Sequence, residues 1–258
     1  MTENICGTAI SFKSVSKKYA VNSLSGRREI TAFKNLSFDL HKGDAAVLLG
    51  LNGAGKTTIL KLIAGLLFPS SGEISVFGKS PLEAGAKAEI GFLPELPYFP
   101  QYEKIASVLK FYGKLSGLKG SDLEEKTEKA IATTGLYPHR DKKIGEFSKG
   151  MLQRLGLAQA ILHDPRLLLL DEPVSGLDPI AIRDIRCILS EMSKKGITIL
   201  MSSHSISEAE KICGKALILN GGELAREISR EEWEQEGGLE EVFIKTASGQ
   251  SHPQEAKK

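Results

Sequence analysis

The apolar residues follow two spacings, and together these predict strands alternating with helices. Alternating and continuous apolar runs predict strands, namely Ala9–Val15, Ile30–Leu40, Ala45–Leu49, Glu73–Gly78, Ile90–Leu93, Leu167–Leu170, Ile197–Met201 and Ala216–Asn220. Apolar positions three and four residues apart predict helices, namely Thr57–Leu66, Val108–Leu115, Asp122–Thr134, Met151–Leu162, Ile180–Met192 and Ser207–Cys213.

The order of these elements predicts one α/β domain over residues 8–247. Strands alternating with helices indicate a mostly parallel sheet covered on both faces. The first strands, joined by a turn at Asn22–Arg28, predict an antiparallel N-terminal subdomain. The expected divisions are a core of 8–95 and 160–225, an inserted α-helical subdomain of 96–159, a C-terminal extension of 226–247 and a flexible tail of 248–258.

Composition excludes several classes of protein. The 34 Lys and Arg against 32 Asp and Glu give a net charge of +2, too small for a nucleic-acid coat protein. The 41% hydrophobic fraction suits a folded core, no apolar run is long enough to span a bilayer, and Met1–Ile10 is not a secretory signal. Cys6, Cys187 and Cys213 are far apart in the sequence and form no metal-binding or redox motif. We therefore expect them to be small buried apolar residues of a protein in a reducing compartment.

The segment Gly50–Thr57 predicts a phosphate-binding loop. It reads Gly-Leu-Asn-Gly-Ala-Gly-Lys-Thr, with a predicted strand before it and a predicted helix after it. Glycine can adopt positive φ, so Gly50, Gly53 and Gly55 allow successive N–H groups to turn towards an anion. Lys56 adds a full positive charge, and the Thr57 hydroxyl is a ligand type that suits Mg²⁺.

A pair of acidic residues follows the apolar run Leu167–Leu170. Asp171 lies at the end of this predicted central strand, where its carboxylate can hold Mg²⁺. The adjacent Glu172 can polarise an attacking water as a general base. By themselves these residues also suit a strand end with solvated acids, and only the phosphate loop makes a catalytic role the preferred interpretation.

The segment Phe147–Met151, just before that strand, adds a third motif. With it the chain resembles the ATP-binding subunit of an ABC transporter, from about Ile10 to Phe243. The resemblance implies a P-loop NTPase fold, ATP and Mg²⁺ as cofactors, and ATP hydrolysis coupled to transport. It implies nucleotide contacts from the whole loop, namely Gly50, Leu51, Asn52, Gly53, Ala54, Gly55, Lys56, Thr57 and Thr58.

The same resemblance assigns residues outside the loop. It implies that Ser148 and Gly150 contact the γ-phosphate bound by another subunit, that Asp178 lies in a loop crossing the dimer interface, and that His204 contacts the γ-phosphate. Lys56, Glu172 and His204 form the implied catalytic set. Tyr19 matches the aromatic residue that stacks on adenine, although Val21–Ile30 is longer than the family's usual turn and leaves a displaced tyrosine as the alternative.

One position departs from the family pattern. The strand Ile90–Leu93 normally leads to a glutamine that touches Mg²⁺, and here the matching residue is Glu95. Glu95 joins Thr57 and Asp171 as an expected metal ligand, with Gln101 as the competing candidate. The Leu-Pro-Glu sequence around it and the segment Leu239–Phe243 resemble exporters that pair with a separate permease.

The resemblance also predicts partners. We expect a homodimer or pseudo-dimer around two ATP molecules, an integral membrane permease as partner and no nucleic acid. The chain would then be cytoplasmic and peripheral on the inner face of the cell membrane. The alternatives are a soluble ABC-type ATPase acting on a non-transport macromolecule and a nucleotide-binding scaffold with little hydrolysis.

Overall fold

Two β-sheets organise the parts of the chain that this computed structural model describes, residues 7–23 and 26–249. The strands are β1 (Thr8–Ser23), β2 (Gly26–His41), β3 (Ala45–Leu49), β4 (Ser71–Val76), β5 (Ile90–Leu93), β6 (Leu167–Leu170), β7 (Thr198–Ser202), β8 (Lys215–Asn220) and β9 (Glu223–Ser229). An antiparallel sheet has the order β2-β1-β4, and a six-stranded sheet has the order β5-β6-β7-β3-β8-β9.

Helices cover the six-stranded sheet and fill the segment between β5 and β6. The helices are α1 (Lys56–Ile63), α2 (Ala84–Lys87), α3 (Ile105–Leu115), α4 (Gly120–Thr133), α5 (Lys149–Ile161), α6 (Pro179–Lys194), α7 (Ile206–Ile212), α8 (Arg230–Gln235) and α9 (Leu239–Ala247), with 3₁₀ turns at Tyr137–His139 and Ile144–Glu146. Helices α3, α4 and α5 pack on one another and account for most of 96–159, where the sequence shows only helical spacing; α5 ends at Ile161, just beyond this segment.

The six-stranded sheet is buried on both faces. Its strands run parallel except β9, which pairs antiparallel with β8. Alternate residues point to opposite faces, so Leu48 and Leu169 join one hydrophobic core while Leu49 and Leu170 join the other. This explains the continuous apolar runs, and the predicted α/β fold is confirmed.

Parallel pairing brings three strand ends to one edge of this sheet. Leu48 of β3 pairs with Ser202 of β7, and Leu170 of β6 pairs with Met201 of β7. The residues that follow β3, β6 and β7 therefore leave the sheet side by side, at the edge where α/β proteins bind ligands.

The N-terminal hairpin is longer than the sequence pattern indicates. Residues expected in a turn at Asn22–Arg28 instead extend both strands, with Val21 paired to Arg28 and Ser23 to Gly26; Leu24 and Ser25 lie outside the described residues. The register shifts between Phe12 and Val15, and each shift exchanges the faces of the residues beyond it. A simple alternating pattern therefore underestimates the length of the strands in this hairpin.

The expectation that the cysteines are buried is correct for one of the two described. Cys213 is fully buried, and burial raises the pKa of its thiol to about 12, so the thiol stays neutral. Cys187 is exposed, because α6 buries the face that carries Ile185, Ile188 and Leu189. Cys6 and the tail beyond Gly249 lie outside the described residues.

Two helices within 226–247 are absent from the predicted helices. Ser229 caps α8, with its hydroxyl accepting from the Glu232 amide and the Glu232 carboxylate accepting from the Ser229 amide. This capping box was a readable signal for a helix start. Helix α8 places Trp233 in the core, and α9 adds Leu239 and Val242. None of the helices within 7–23 and 26–249 has the length and apolar character needed to cross a bilayer.

Candidate active site

The loop between β3 and α1 has the shape of an anion cradle. Gly53 and Gly55 adopt left-handed φ values of 83° and 95°, and Gly55 caps α1. These conformations favour glycine and direct successive amides around an anion. Gly50 does not adopt positive φ, contrary to the prediction. A Cβ at Gly50 would lie 2.9 Å from the Leu219 carbonyl oxygen, so glycine is needed there for close packing.

Lys56 lies inside this loop and holds its backbone. Its side chain is buried, and Nζ donates to the carbonyl oxygens of Gly50 (2.6 Å) and Leu51 (3.3 Å). A buried ammonium needs such partners to offset its lost hydration. Because these carbonyls are neutral, the positive charge of Lys56 remains available to an anionic ligand entering the loop.

Asp171 connects the phosphate loop to two neighbouring strands. Its carboxylate is 3% exposed, and Oδ1 accepts from the Thr57 hydroxyl (3.0 Å) and the Ser202 hydroxyl (2.6 Å). Its amide donates to Leu93 O at 2.8 Å. Ser202 was not among the predicted site residues. Its signal was its place at the end of β7, where a polar side chain follows an apolar strand.

Glu172 and His204 form a hydrogen-bonded pair beside Asp171. His204 Nδ1 lies 2.7 Å from Glu172 Oε2, and the His204 amide donates to the same oxygen at 3.2 Å. The Glu172 side chain is 12% exposed, whereas that of His204 is 58% exposed. Because an ionised carboxylate only accepts hydrogen bonds, such a bond to Glu172 requires the proton of His204 on Nδ1. The other ring nitrogen, Nε2, makes no contact with Glu172.

The backbone of Glu172 is held in an unusual conformation. Its φ is 49°, which is uncommon for a residue with a side chain. Its amide donates to Ser202 Oγ at 2.9 Å. Ser202 therefore bonds to both acidic residues and fixes their relative orientation. Strained backbone of this kind concentrates at functional sites.

Lys56, Thr57, Glu172 and His204 border one open cleft of about 590 Å³. The cleft is lined by Tyr19, Ile30, Thr31, Ala32, Asn52, Gly53, Ala54, Gly55, Lys56, Thr57, Thr58, Glu95, Glu172 and His204. Gly50 and Leu51 line a smaller neighbouring cavity instead. The structure thus brings most of the expected nucleotide contacts together on a single chain.

Two alternatives left open by the sequence concern which residues lie at the cleft. Tyr19 lines it, with its hydroxyl 3.1 Å from Thr58 Oγ1. Lys17 Nζ lies 5.0 Å from the centre of the Tyr19 ring. Glu95 lines the cleft, and Gln101 does not; the Gln101 carbonyl accepts from the Gly145 amide at 2.8 Å.

Ser148, Gly150 and Asp178 lie outside the cleft, at the N-termini of two packed helices. Ser148 Oγ accepts from the Met151 amide at 3.3 Å and caps α5. Asp178 Oδ1 accepts from the first amides of α6, at 3.0 Å each, and caps that helix. A Cβ at Gly150 would lie 2.9 Å from Ala181 Cβ, so the glycine allows α5 and α6 to approach closely.

Comparison with known proteins identifies the family. The sequence profile of the ABC transporter family matches residues 33–175. The chain belongs to the ABC transporter family. The matched range contains the phosphate loop, Glu95 and the acidic pair, whereas Tyr19, Ile30–Ala32 and His204, which also line the cleft, lie outside it.

The relatives are named ATP-binding proteins. An uncharacterized ABC transporter ATP-binding protein, YxlF of Bacillus subtilis (strain 168), is 40% identical over 84% of this chain and 69% of its own length. The bacitracin transport ATP-binding protein BcrA of Enterococcus faecalis is 38% identical over 78% of this chain and 65% of its own length. The chain thus spans about two thirds of these curated relatives.

A solved structure gives the same result. The structure of an ATP binding subunit of an ABC transporter superposes with a TM-score of 0.79 at 26% identity, covering 92% of this chain and 99% of that one. The expectations of an ABC-type P-loop fold and of an ATP-hydrolysing ABC transporter subunit are confirmed.

Proposed function

We propose that two copies of this chain enclose ATP between them and drive export through a separate membrane permease. The observation that carries the proposal is that Lys56, Thr57, Glu172 and His204 line one cleft. Thr57 is hydrogen-bonded to the buried Asp171, and Glu172 is hydrogen-bonded to His204. That arrangement combines a cradle for phosphates with a general base and is what ATP hydrolysis requires.

The phosphate loop would bind the triphosphate. The amides around Gly53 and Gly55 and the N-terminus of α1 supply partial positive charge. Lys56 Nζ lies inside the same loop and would exchange its carbonyl partners for phosphate oxygens, a stronger charge-assisted interaction. Tyr19, whose hydroxyl contacts Thr58 and which lines the same cleft, would stack on adenine.

Glu172 and His204 would act on the attacking water. Glu172 Oε2 is hydrogen-bonded to His204 and partly exposed to the cleft, which suits a general base whose orientation is fixed. His204 would meet the γ-phosphate through the ring nitrogen that does not face Glu172. One residue would thus accept the proton while the other orients the phosphate that is attacked.

The residues present suit Mg²⁺ held together with phosphates. Among the described residues no three acidic, histidine or cysteine side chains are grouped as a metal site. Mg²⁺ typically takes one or two protein oxygens and completes its shell with phosphates and water. Thr57 and Asp171 supply such oxygens, and Glu95 lines the same cleft. When bound there, Mg²⁺ would offset the negative charge of the phosphates.

A second copy would complete the site. Ser148 and Asp178 are exposed and point no polar group into the cleft of their own chain. The N-terminus of α5 carries amides without intrahelical partners and would approach the γ-phosphate bound by the other copy. Ser148 and Gly150 would then contact nucleotide across the interface, with Asp178 alongside.

The permease would contact the segment 96–159. Leu96, Tyr98 and Tyr102 are 73%, 82% and 75% exposed and follow Glu95 in the chain, whereas Phe99 is buried. An apolar surface next to the cleft could transmit its changes to membrane helices of another chain. A relative named for bacitracin transport supports a transport role. The protein would be peripheral on the inner face of the membrane through this partner.

Two measurements test this function. Calorimetry and phosphate release should show Mg²⁺-dependent ATP binding and hydrolysis by the purified chain, both lost in Lys56→Ala. Lys61→Ala, on the exposed side of α1, is the matched control and should behave like the wild type. ATPase activity retained by Lys56→Ala would contradict the loop assignment.

The partner is tested separately. Affinity purification of the full chain from solubilised membranes should recover an integral membrane protein with several long apolar spans. Recovery of a soluble macromolecular partner only, from the same cells, would replace the transporter motor with a soluble ABC-type ATPase.

A further inference from the structure

Helix α9, the last helix among the residues that the structure describes, lies behind the phosphate loop. A cavity of about 190 Å³ separates them and is lined by Leu49, Gly50, Leu51, Asn52, Ser203, His204, Ile206 and Phe243. We call it the rear cavity. Phe243 is the residue of α9 that lines this cavity. The other lining residues belong to the phosphate-loop segment Leu49–Asn52 and to the His204 segment, residues 203–206. One aromatic side chain therefore faces both halves of the hydrolytic machinery.

Helix α9 is fixed at both ends to the elements that carry these segments. At its start, the Leu239 amide donates to Glu210 Oε1 of α7 at 3.0 Å. At its end, Asn220 Nδ2, at the end of β8, lies 3.5 and 3.4 Å from the carbonyl oxygens of Thr246 and Ala247. Because α7 follows His204 directly, α9 joins the His204 segment to β8.

Strand β8 in turn contacts the phosphate loop. The backbone at Gly50 packs so closely on Leu219 that a Cβ there would lie 2.9 Å from the Leu219 carbonyl oxygen. Leu219 precedes Asn220, the residue that holds α9. The loop backbone from Gly50 to Asn52 is thus bounded by β8 and, across the rear cavity, by Phe243.

We propose that Phe243 is a positioning residue for ATP hydrolysis, acting through the backbone of Gly50–Asn52 and through His204. This inference rests on the proposed function. Lys56 Nζ holds the carbonyls of Gly50 and Leu51 from the ligand side. When Lys56 turns to phosphate, that support is lost, and contacts from behind the loop are what keep it in place.

Removing the Phe243 ring would enlarge the rear cavity. Neighbouring groups relax partly into such space. The exposed Leu51 and the half-buried Ile206 are apolar residues of its lining that are not fully buried and can move. Either movement shifts a reacting group relative to the γ-phosphate, and displacements of about 1 Å can lower a rate by up to about 10²-fold.

The test is steady-state ATP hydrolysis by full-length variants. Phe243→Ala should lower kcat about tenfold and change KM by less than about twofold, because loop geometry rather than nucleotide affinity is disturbed. Phe243→Leu, which refills the cavity, should recover most of kcat. Ile244→Ala, on the exposed side of α9, is the matched control and should equal the wild type.

Two further substitutions, Asn220→Ala and His204→Ala, separate a positioning role of Phe243 from a general loss of stability. Asn220→Ala loosens the end of α9 without touching the cavity and should also lower kcat; it carries the test if Phe243→Ala does not fold. Emission from Trp233, the single tryptophan, reports on folding. In a double-mutant cycle, adding Phe243→Ala to the His204→Ala variant should lower kcat by a much smaller factor than adding it to the wild type.

The outcomes are distinct. If the wild type hydrolyses ATP but folded Phe243→Ala and Asn220→Ala keep the wild-type kcat, the positioning role is overturned. Full additivity with His204→Ala overturns the part of the proposal that runs through His204. Absence of hydrolysis in the wild type itself would count against the proposed function rather than against Phe243.

Discussion

Two groups of predicted site residues differ in how the fold uses them. Lys56, Asp171 and Glu172 follow the parallel strands β3 and β6 in the chain. Lys56 and Glu172 line one cleft, and the buried Asp171 is connected to it through Thr57. Ser148 and Asp178 start helices and use their side chains as caps on a surface outside that cleft. The first group is assembled by sheet topology, whereas the second is fixed by local helix geometry.

The difference indicates which part of the site a single chain can complete. The strand-end group already has its partners: Asp171 binds Thr57 and Ser202, and Glu172 binds His204. In the helix-cap group, the side chains of Ser148 and Asp178 accept hydrogen bonds from amides of the helices that they cap. The N-termini of these helices lie outside the cleft of their own chain. A single chain thus completes the proposed phosphate and base side, and the helix N-termini would be available to another molecule.

The largest expected effect lies in the strand-end group. Glu172→Gln keeps the shape and the contact to His204 but loses the base, so we expect ATP binding to persist and hydrolysis to slow by at least about 10²-fold. In the presence of ATP, the Glu172→Gln variant should then accumulate as a closed dimer, which size-exclusion chromatography would detect. Glu234→Gln, an exposed residue of α8, is the matched control, and wild-type turnover in Glu172→Gln would remove the residue from its role.

The second prediction tests whether the two groups meet across a dimer. Lys56→Ala and Ser148→Arg should each be inactive alone. When the two variants are mixed and allowed to exchange subunits, about half of the dimers are mixed. Each mixed dimer has one intact pairing, that is, one of its two sites with both an unchanged Lys56 and an unchanged Ser148. Roughly a quarter of the wild-type activity should therefore return. Mixing Lys56→Ala with Lys56→Ala,Ser148→Arg provides the control without an intact pairing. No recovery in the first mixture would contradict a shared site.

Sequence reasoning succeeded where one residue type has one physical use. The glycine-lysine loop, the apolar run before Asp171 and the helix spacing after Gly55 each have a single physical explanation, and the structure places them together. Ser202 was missed because a serine at a strand end has many ordinary uses. Its role depends on the parallel register of β6 and β7, which no local pattern contains.

The remaining errors have similar causes. Gly50 was expected to adopt positive φ, but its packing on Leu219 is a contact between residues far apart in sequence. The hairpin β1–β2 was shortened because bulges interrupt its alternation. The exposed Cys187 follows from which face α6 buries, which an apolar residue type alone does not specify.

The third prediction separates capping from catalysis in the helix-cap group. Asp178→Ala removes an acceptor from the Ile180 and Ala181 amides, so the free energy of unfolding should fall by about 1 kcal/mol. Asp178→Asn keeps a capping oxygen and should restore stability, as measured by urea unfolding. If Asp178 has only a structural role, ATPase activity should follow stability in both variants. If it also acts at the interface, Asp178→Asn should be stable but slower.

The smallest effect concerns Glu95, the acidic residue at the border between the strand-end group and the segment 96–159. Glu95→Gln should shift the Mg²⁺ concentration for half-maximal ATPase activity by a few-fold, because a carboxylate attracts the cation more strongly than an amide does. Gln101→Glu is the matched control, since Gln101 does not line the cleft, and its Mg²⁺ titration should equal that of the wild type. Identical titrations for Glu95→Gln and the wild type would remove Glu95 from the proposed metal ligands, would point to Gln101 or to no such contact, and would assign Glu95 to the neighbouring surface that we propose faces the permease.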